Sequence, residues 1–138
     1  IRNCDWSSDV CSSDLIDYAP TLLDAANISV PAFMQGISLK PLLQNGKRRL
    51  SRTNLYYHFY EYHADHTVLP HLGIRGHRYK LIYFYTVNEW ELYDLEIDPN
   101  EQHNLAAETK YSKLVEEMKK SLLKERIKYQ DTEKAGVL

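Results

Sequence analysis

Six histidines are the first residues in this chain that could do chemistry: His58, His63, His66, His71, His77 and His103. His63, His66 and His71 lie close together, in and around an irregular run from Tyr62 to Pro70. An imidazole can donate a hydrogen bond to a hydroxyl or ester oxygen, and loops on rigid scaffolds carry binding residues disproportionately. The competing reading is a set of solvated loop histidines. Metal ligation needs convergent ligands with supporting partners, and His63-Ala64-Asp65-His66 lacks the spacing of a zinc signature, so no metal site is expected. Arg75, Arg78 and Lys80 form the second group, and Arg75 can present a planar fork to an oxyanion. Cross-strand charge pairing is the commoner use of such a cluster. Among the carboxylates, Glu61, Glu91, Asp94 and Asp98 show no pair that would face across a cleft. Asp94 and Asp98 suit a turn, where Asp side chains bond nearby backbone amides.

The elements that must position these groups follow from pattern. Asp17 is placed to cap a short helix through Pro20, Leu22, Leu23 and Ala26, which Asn27 and Pro31 end. Residues 38–43 read as a further helical turn, and 46–49 as an exposed loop. Aromatic-rich Asn54 to Tyr62 reads as a strand, followed by strands at Leu72 to Arg75 and Tyr79 to Tyr85. Gly76-His77 suits a two-residue hairpin turn with glycine at its first central position. Thr86 to Glu89 is a second turn, leading into strand Trp90 to Tyr93. Tyr111, Leu114, Val115, Met118 and Leu122 fall at helical spacing within Lys110 to Lys128, with Glu116 and Lys120 paired on the wet side. The expected fold class is α+β: a small antiparallel β-sheet of three or four strands packed against a C-terminal α-helix. Residues 130–138 carry no such pattern and are expected to fray.

Residues 5–15 resemble the conceptual translation of a sequencing-library adapter, so residues 1–15 are set aside as a disordered artefact and the domain is placed at 16–129. Both cysteines, Cys4 and Cys11, go with them, and no disulfide, zinc or redox pair is argued. Residues 1–15 have no apolar signal-peptide core. A net charge of -2 gives no electrostatic reason to expect nucleic acid or an anionic membrane as a partner. No apolar run approaches a bilayer-spanning length. Most of the 11 tyrosines lie between Leu55 and Tyr93, which suits a half-buried sheet or a sugar-facing surface.

Four blocks in order resemble the C-terminal subdomain of formylglycine-dependent sulfatases. They are 17–26 (Asp-Tyr-Ala-Pro-Thr-Leu-Leu-Asp-Ala-Ala); 35–43, from Gln-Gly-Ile-Ser-Leu to Pro-Leu-Leu; 60–82, with Tyr60-Glu61-Tyr62, His66, His71, Gly73-Ile74-Arg75 and Arg78-Tyr79-Lys80-Leu81-Ile82; and Glu91-Leu92-Tyr93-Asp94 with Asp98-Pro99, Glu101 and Asn104-Leu105. The third block is similar to the branch of glucosamine-sulfate and related glycan sulfatases. Gly76 departs from the family's more usual threonine. The family's nucleophile motif, Cys or Ser-x-Pro-x-Arg, is absent, and Cys11 lacks both its proline and its arginine. The resemblance therefore implies that formylglycine and calcium belong to an N-terminal catalytic domain outside this sequence. This region would then supply no catalytic residue and no cofactor of its own. It implies a sulfated carbohydrate substrate, an exported enzyme, and substrate contacts from His66 and His71, with Arg75 next. A stand-alone glycan-binding or interaction module is the rival from another class, and a phosphonate or phosphodiester hydrolase of the same superfamily is the closer one. The chain by itself is expected to hydrolyse neither an aryl sulfate nor a sulfated sugar. Measurable turnover by the purified 138-residue protein would sink that expectation.

Overall fold

A computed structural model describes residues 15–45, 52–60 and 68–132, which fall into two compact units dividing between Thr53 and Asn54. In the first unit a 3-10 turn, Leu15–Asp17, runs into α1 (Tyr18–Ala25), and α2 spans Lys40–Asn45. Asp17 does not cap α1 as its position suggests. Its backbone is already helical, at φ -87 and ψ -15, and its side chain bonds no helix amide. The carboxylate instead accepts the Ile37 N–H at 2.8 Å and takes the Arg52 guanidinium at 3.1 and 2.6 Å. Both partners are out of water, with side-chain exposures of 0% for Asp17 and 8% for Arg52. A buried carboxylate is tolerated only where charge and hydrogen bonds compensate it, and here a distant arginine outcompetes the local amides.

The same corner is tied by neutral groups. Thr21 Oγ1 donates to the Asp17 carbonyl and accepts the Leu39 N–H, while Ser38 Oγ donates to Asp24. Gly36 passes so close that a Cβ would lie 1.9 Å from the Ile16 carbonyl oxygen, so no other residue fits there. At the far end of α1, Asn27 takes a left-handed φ of 57. Its N–H bonds Asp24 O, and Ile28 N–H bonds Leu23 O, the paired closure of a Schellman motif.

The second unit is a four-stranded antiparallel sheet in the order β1 (Leu55–Phe59), β2 (His71–Arg75), β3 (Tyr79–Phe84), β4 (Glu89–Asp94). This α+β arrangement is the one the patterning implies. Tyr56, Ile74, Leu81 and Leu92 sit in register across all four strands. They belong to the face that packs on α3 (Ser112–Lys128), whose Val115, Met118 and Leu122 close the core with Leu72 and Tyr83. The opposite face carries Tyr57, Gly73, Ile82 and Glu91 in the next row, with Ile82, Tyr93 and Leu95 forming a smaller cluster.

Three local expectations change. The Gly76 N–H donates to the Tyr79 carbonyl at 2.9 Å, so His77 and Arg78 are the central pair of the hairpin and the glycine flanks it. Glu116 pairs with Lys119 at 3.0 Å, one residue nearer than Lys120. Beyond α3, Asp131 is held by β1, accepting from Tyr56 and from His58 Nδ1 at 2.7 Å, where fraying was expected. The loop at 46–49 and the end of the first expected strand at Glu61-Tyr62 lie outside the described residues.

Replacing Asp17 by Ala removes the buried carboxylate that pairs with Arg52 and accepts the Ile37 amide, and is expected to destabilise the first unit by about 3–5 kcal/mol. Hydrogen exchange at the Ile37 and Leu39 amides reads this directly. Protection equal to that of the parent chain would refute it.

Candidate functional site

Alternation along β2 places His71, Gly73 and Arg75 on the sheet face turned away from α3. His71 sits in an aromatic box: its ring stacks on Phe59 at 5.3 Å, tilts against Phe84 at 4.9 Å and meets Tyr57 edge-on at 5.8 Å. Its Nδ1 lies 2.8 Å from the Leu69 carbonyl, which can only accept, so Nδ1 carries a proton. The neutral ring therefore offers Nε2 as an acceptor to a ligand hydroxyl, and donates from Nε2 only when protonated. That refines the expectation of a simple donor.

The basic cluster divides. Arg78 reaches the buried Asp94 through Nε at 2.9 Å and Nη2 at 2.7 Å. Lys80 pairs with Glu101 at 2.6 Å. Both are charge pairings within the sheet unit, one from the β2–β3 turn to the end of β4 and one from β3 to the loop beyond β4. Arg75 lies half-buried between Leu55 and Lys80 in the register and makes no side-chain hydrogen bond or ion pair among the described residues. His66 and His63 fall outside the described residues. His77 and His103 are exposed, with His103 Nδ1 3.6 Å from Asp98.

Asp94 and Asp98 act in the turn as anticipated. Asp94 accepts the Glu96 N–H, and Asp98 accepts those of Gln102 and His103. Asn104 then returns to β4, accepting the Leu92 N–H at 3.0 Å and donating to the Trp90 carbonyl at 3.1 Å. The Arg78 contact, opposed by burial, holds the Asp94 carboxyl below its ordinary range, and the same pairing raises Arg78. Burial, then the hydrogen bond that Tyr93 donates to the Glu91 carboxylate, pushes the Tyr93 hydroxyl up to about 12.

Two features escaped the sequence reading. His58 bridges Asp131 and, through Nε2, the Tyr85 hydroxyl at 3.2 Å; a partner 73 residues away leaves no local signal. Tyr57 lies across Gly73, and the signal for it was present, since a glycine inside a strand often marks a close approach. Among the described residues no three His, Cys, Asp or Glu side chains converge to hold a metal. The nucleophile motif is also absent. Calcium and formylglycine do not fit the described residues.

A helix-backed antiparallel sheet, closed at one edge by the Asp-Pro turn and its Asn-Leu return, matches the C-terminal part of solved sulfatases. The chain belongs to the N-sulphoglucosamine sulphohydrolase C-terminal family, matched over residues 7–128. An N-acetylglucosamine-6-O-sulfatase of Bacteroides thetaiotaomicron is 44% identical over 86% of this chain and 22% of its own length. A delta 4,5-hexuronate-2-O-sulfatase of the same organism is 41% identical over 74% of this chain and 21% of its own. A solved structure in complex with its substrate, D-glucosamine-2-N,6-O-disulfate, superposes with a TM-score of 0.80 at 41% identity, covering 88% of this chain and 25% of that one. The chain thus spans about a fifth of the length of these curated relatives.

The Arg78–Asp94 pair makes a pH prediction. Asp94 is lowered below its ordinary 3.8 in the folded chain, so its contribution is complete above that value and is lost as pH falls through the folded pKa. The urea midpoint is expected to drop between about pH 5 and pH 2, and Asp94→Asn should flatten that slope. Equal slopes in the two proteins would contradict it.

Proposed function

We propose that this chain is the C-terminal subdomain of an exported sulfatase that hydrolyses sulfate esters on a carbohydrate. In this reading the β2 face lines the rim of the substrate pocket. The observation that carries the rim assignment is Arg75, whose guanidinium makes no hydrogen bond or ion pair among the described residues, on the same face as His71. A guanidinium not committed to a protein carboxylate can take an oxyanion with two parallel hydrogen bonds, and a sulfated sugar supplies one. His66 belongs to the same rim on the strength of the family resemblance. Support for the substrate class comes from the relatives, whose names specify sulfated glucosamine and hexuronate units. The partner that completes the enzyme is the family's N-terminal catalytic part, which holds nucleophile and metal. The region described here orients the sugar and contributes no reacting group. Export is read from the resemblance, and no described helix is long and apolar enough to cross a membrane.

The test uses the full-length enzyme carrying this region, assayed on sulfated monosaccharides, aryl sulfates and phosphonate monoesters. Sulfated sugars are expected to be preferred. Losing one hydrogen bond to a neutral hydroxyl costs about 0.5–1.5 kcal/mol, so His66→Ala and His71→Ala should each raise KM for the sugar ~2- to 10-fold. Arg75→Ala should cost more, because its partner is charged. Equal loss on sugar and aryl sulfate would place these residues in the chemistry or in folding. Preference for phosphonates would overturn the sulfatase reading.

A further inference from the structure

Tyr57 on β1 stands opposite Gly73 on β2, midway between His71 and Arg75. Its ring lies so flat on the sheet that a Cβ at Gly73 would meet both Tyr57 Cζ and the hydroxyl at 2.5 Å. The glycine is there to let the phenol through, and the phenol fills the space between the two candidate rim residues. That hydroxyl is buried and has no hydrogen-bond partner among the described residues. Leaving a buried donor unmade costs stability, and a native protein keeps such a group for a reason. His71 and Arg75 are four residues apart on one strand, roughly 13 Å at about 3.3 Å per residue, too far for their backbones alone to serve one small group. Tyr57 supplies a donor at the midpoint. It touches the His71 ring edge-on, and burial, then the Glu101 and Glu91 charges, push its pKa up against the opposing Arg75 charge, so the phenol stays protonated as a donor.

We infer that Tyr57 is a specificity-determining residue of the rim, whose hydroxyl donates to an anionic oxygen of the sugar when Arg75 turns to engage the same group. The ligand class is a sulfate or carboxylate carried on the sugar apart from the ester being cleaved. This inference rests on the rim reading of His71 and Arg75. The hydroxyl is shielded from solvent. Engagement therefore requires a local movement that opens the hydroxyl to the ligand, and Arg75, with no partner among the described residues, is free to turn toward the same group.

Tyr57→Phe in the full-length enzyme separates the alternatives, because it removes only the hydroxyl. KM for a sugar bearing a second sulfate or a carboxylate should rise about ten-fold, while KM for the matching mono-anionic sugar moves less than about two-fold. The melting temperature should hold or rise, since an unpaired donor is lost. A fall in melting temperature would show that the hydroxyl is bonded within the folded enzyme and would overturn the inference. So would unchanged KM on both sugars. His71→Ala run in parallel tells the two failures apart: if it raises KM while Tyr57→Phe is silent, the rim stands and Tyr57 drops out. If both are silent, the rim reading itself fails.

Discussion

The second unit depends on the ionised carboxylate of Asp94 at the end of β4. Only 2% of that side chain is exposed, yet it stays charged because Arg78 grips it with two nitrogens and the Glu96 amide donates to it as well. The guanidinium itself remains half in water, so the desolvation cost falls mainly on one partner. Arg78 comes from the β2–β3 hairpin and Asp94 from the strand beyond, so a single contact fixes the hairpin tip against the turn that follows β4. The Leu95 N–H bond to the Arg78 carbonyl repeats the link through the backbone. With that corner fixed, the register of three strands is set, and register decides that His71, Gly73 and Arg75 share a face.

In the first unit Asp17 does comparable work by different means. Both cases put a buried aspartate next to an arginine remote in sequence, and both are embedded in runs that were recognisable as family blocks. The resemblance pointed to those positions correctly, but local rules assigned Asp17 the wrong task. N-cap preference describes what an aspartate does when water is the alternative. Once Arg52 and the Ile37 amide offer a dry site, the cap is the weaker partner.

Strand positions, the α3 stripe and the helix-backed sheet were legible because each rests on hydrophobic periodicity, which needs no long-range information. Lys80 and Glu101, 21 residues apart, could be suspected only as charges, and His58 with Asp131 could not be suspected at all. The hairpin was misread by one residue because Gly76 invited the first central position, whereas Arg78 is drawn into the turn by its carboxylate. Tyr57 was visible as an aromatic strand residue and Gly73 as an odd glycine. What joined them was a cross-strand register that no single segment encodes.

The return of Asn104 and Leu105 along β4 has a consequence for how this sheet meets other chains. The Asn104 amide imitates a peptide unit, and the Leu105 N–H takes the Leu92 carbonyl at 2.8 Å, so the outer hydrogen-bonding groups of β4 are consumed at two successive positions. An exposed strand edge is a template for unwanted pairing, and side chains that occupy its backbone groups remove the template without adding a strand. Strand addition is thereby blocked along β4, and among the described strands the tyrosine-rich β1 is the other edge of the sheet.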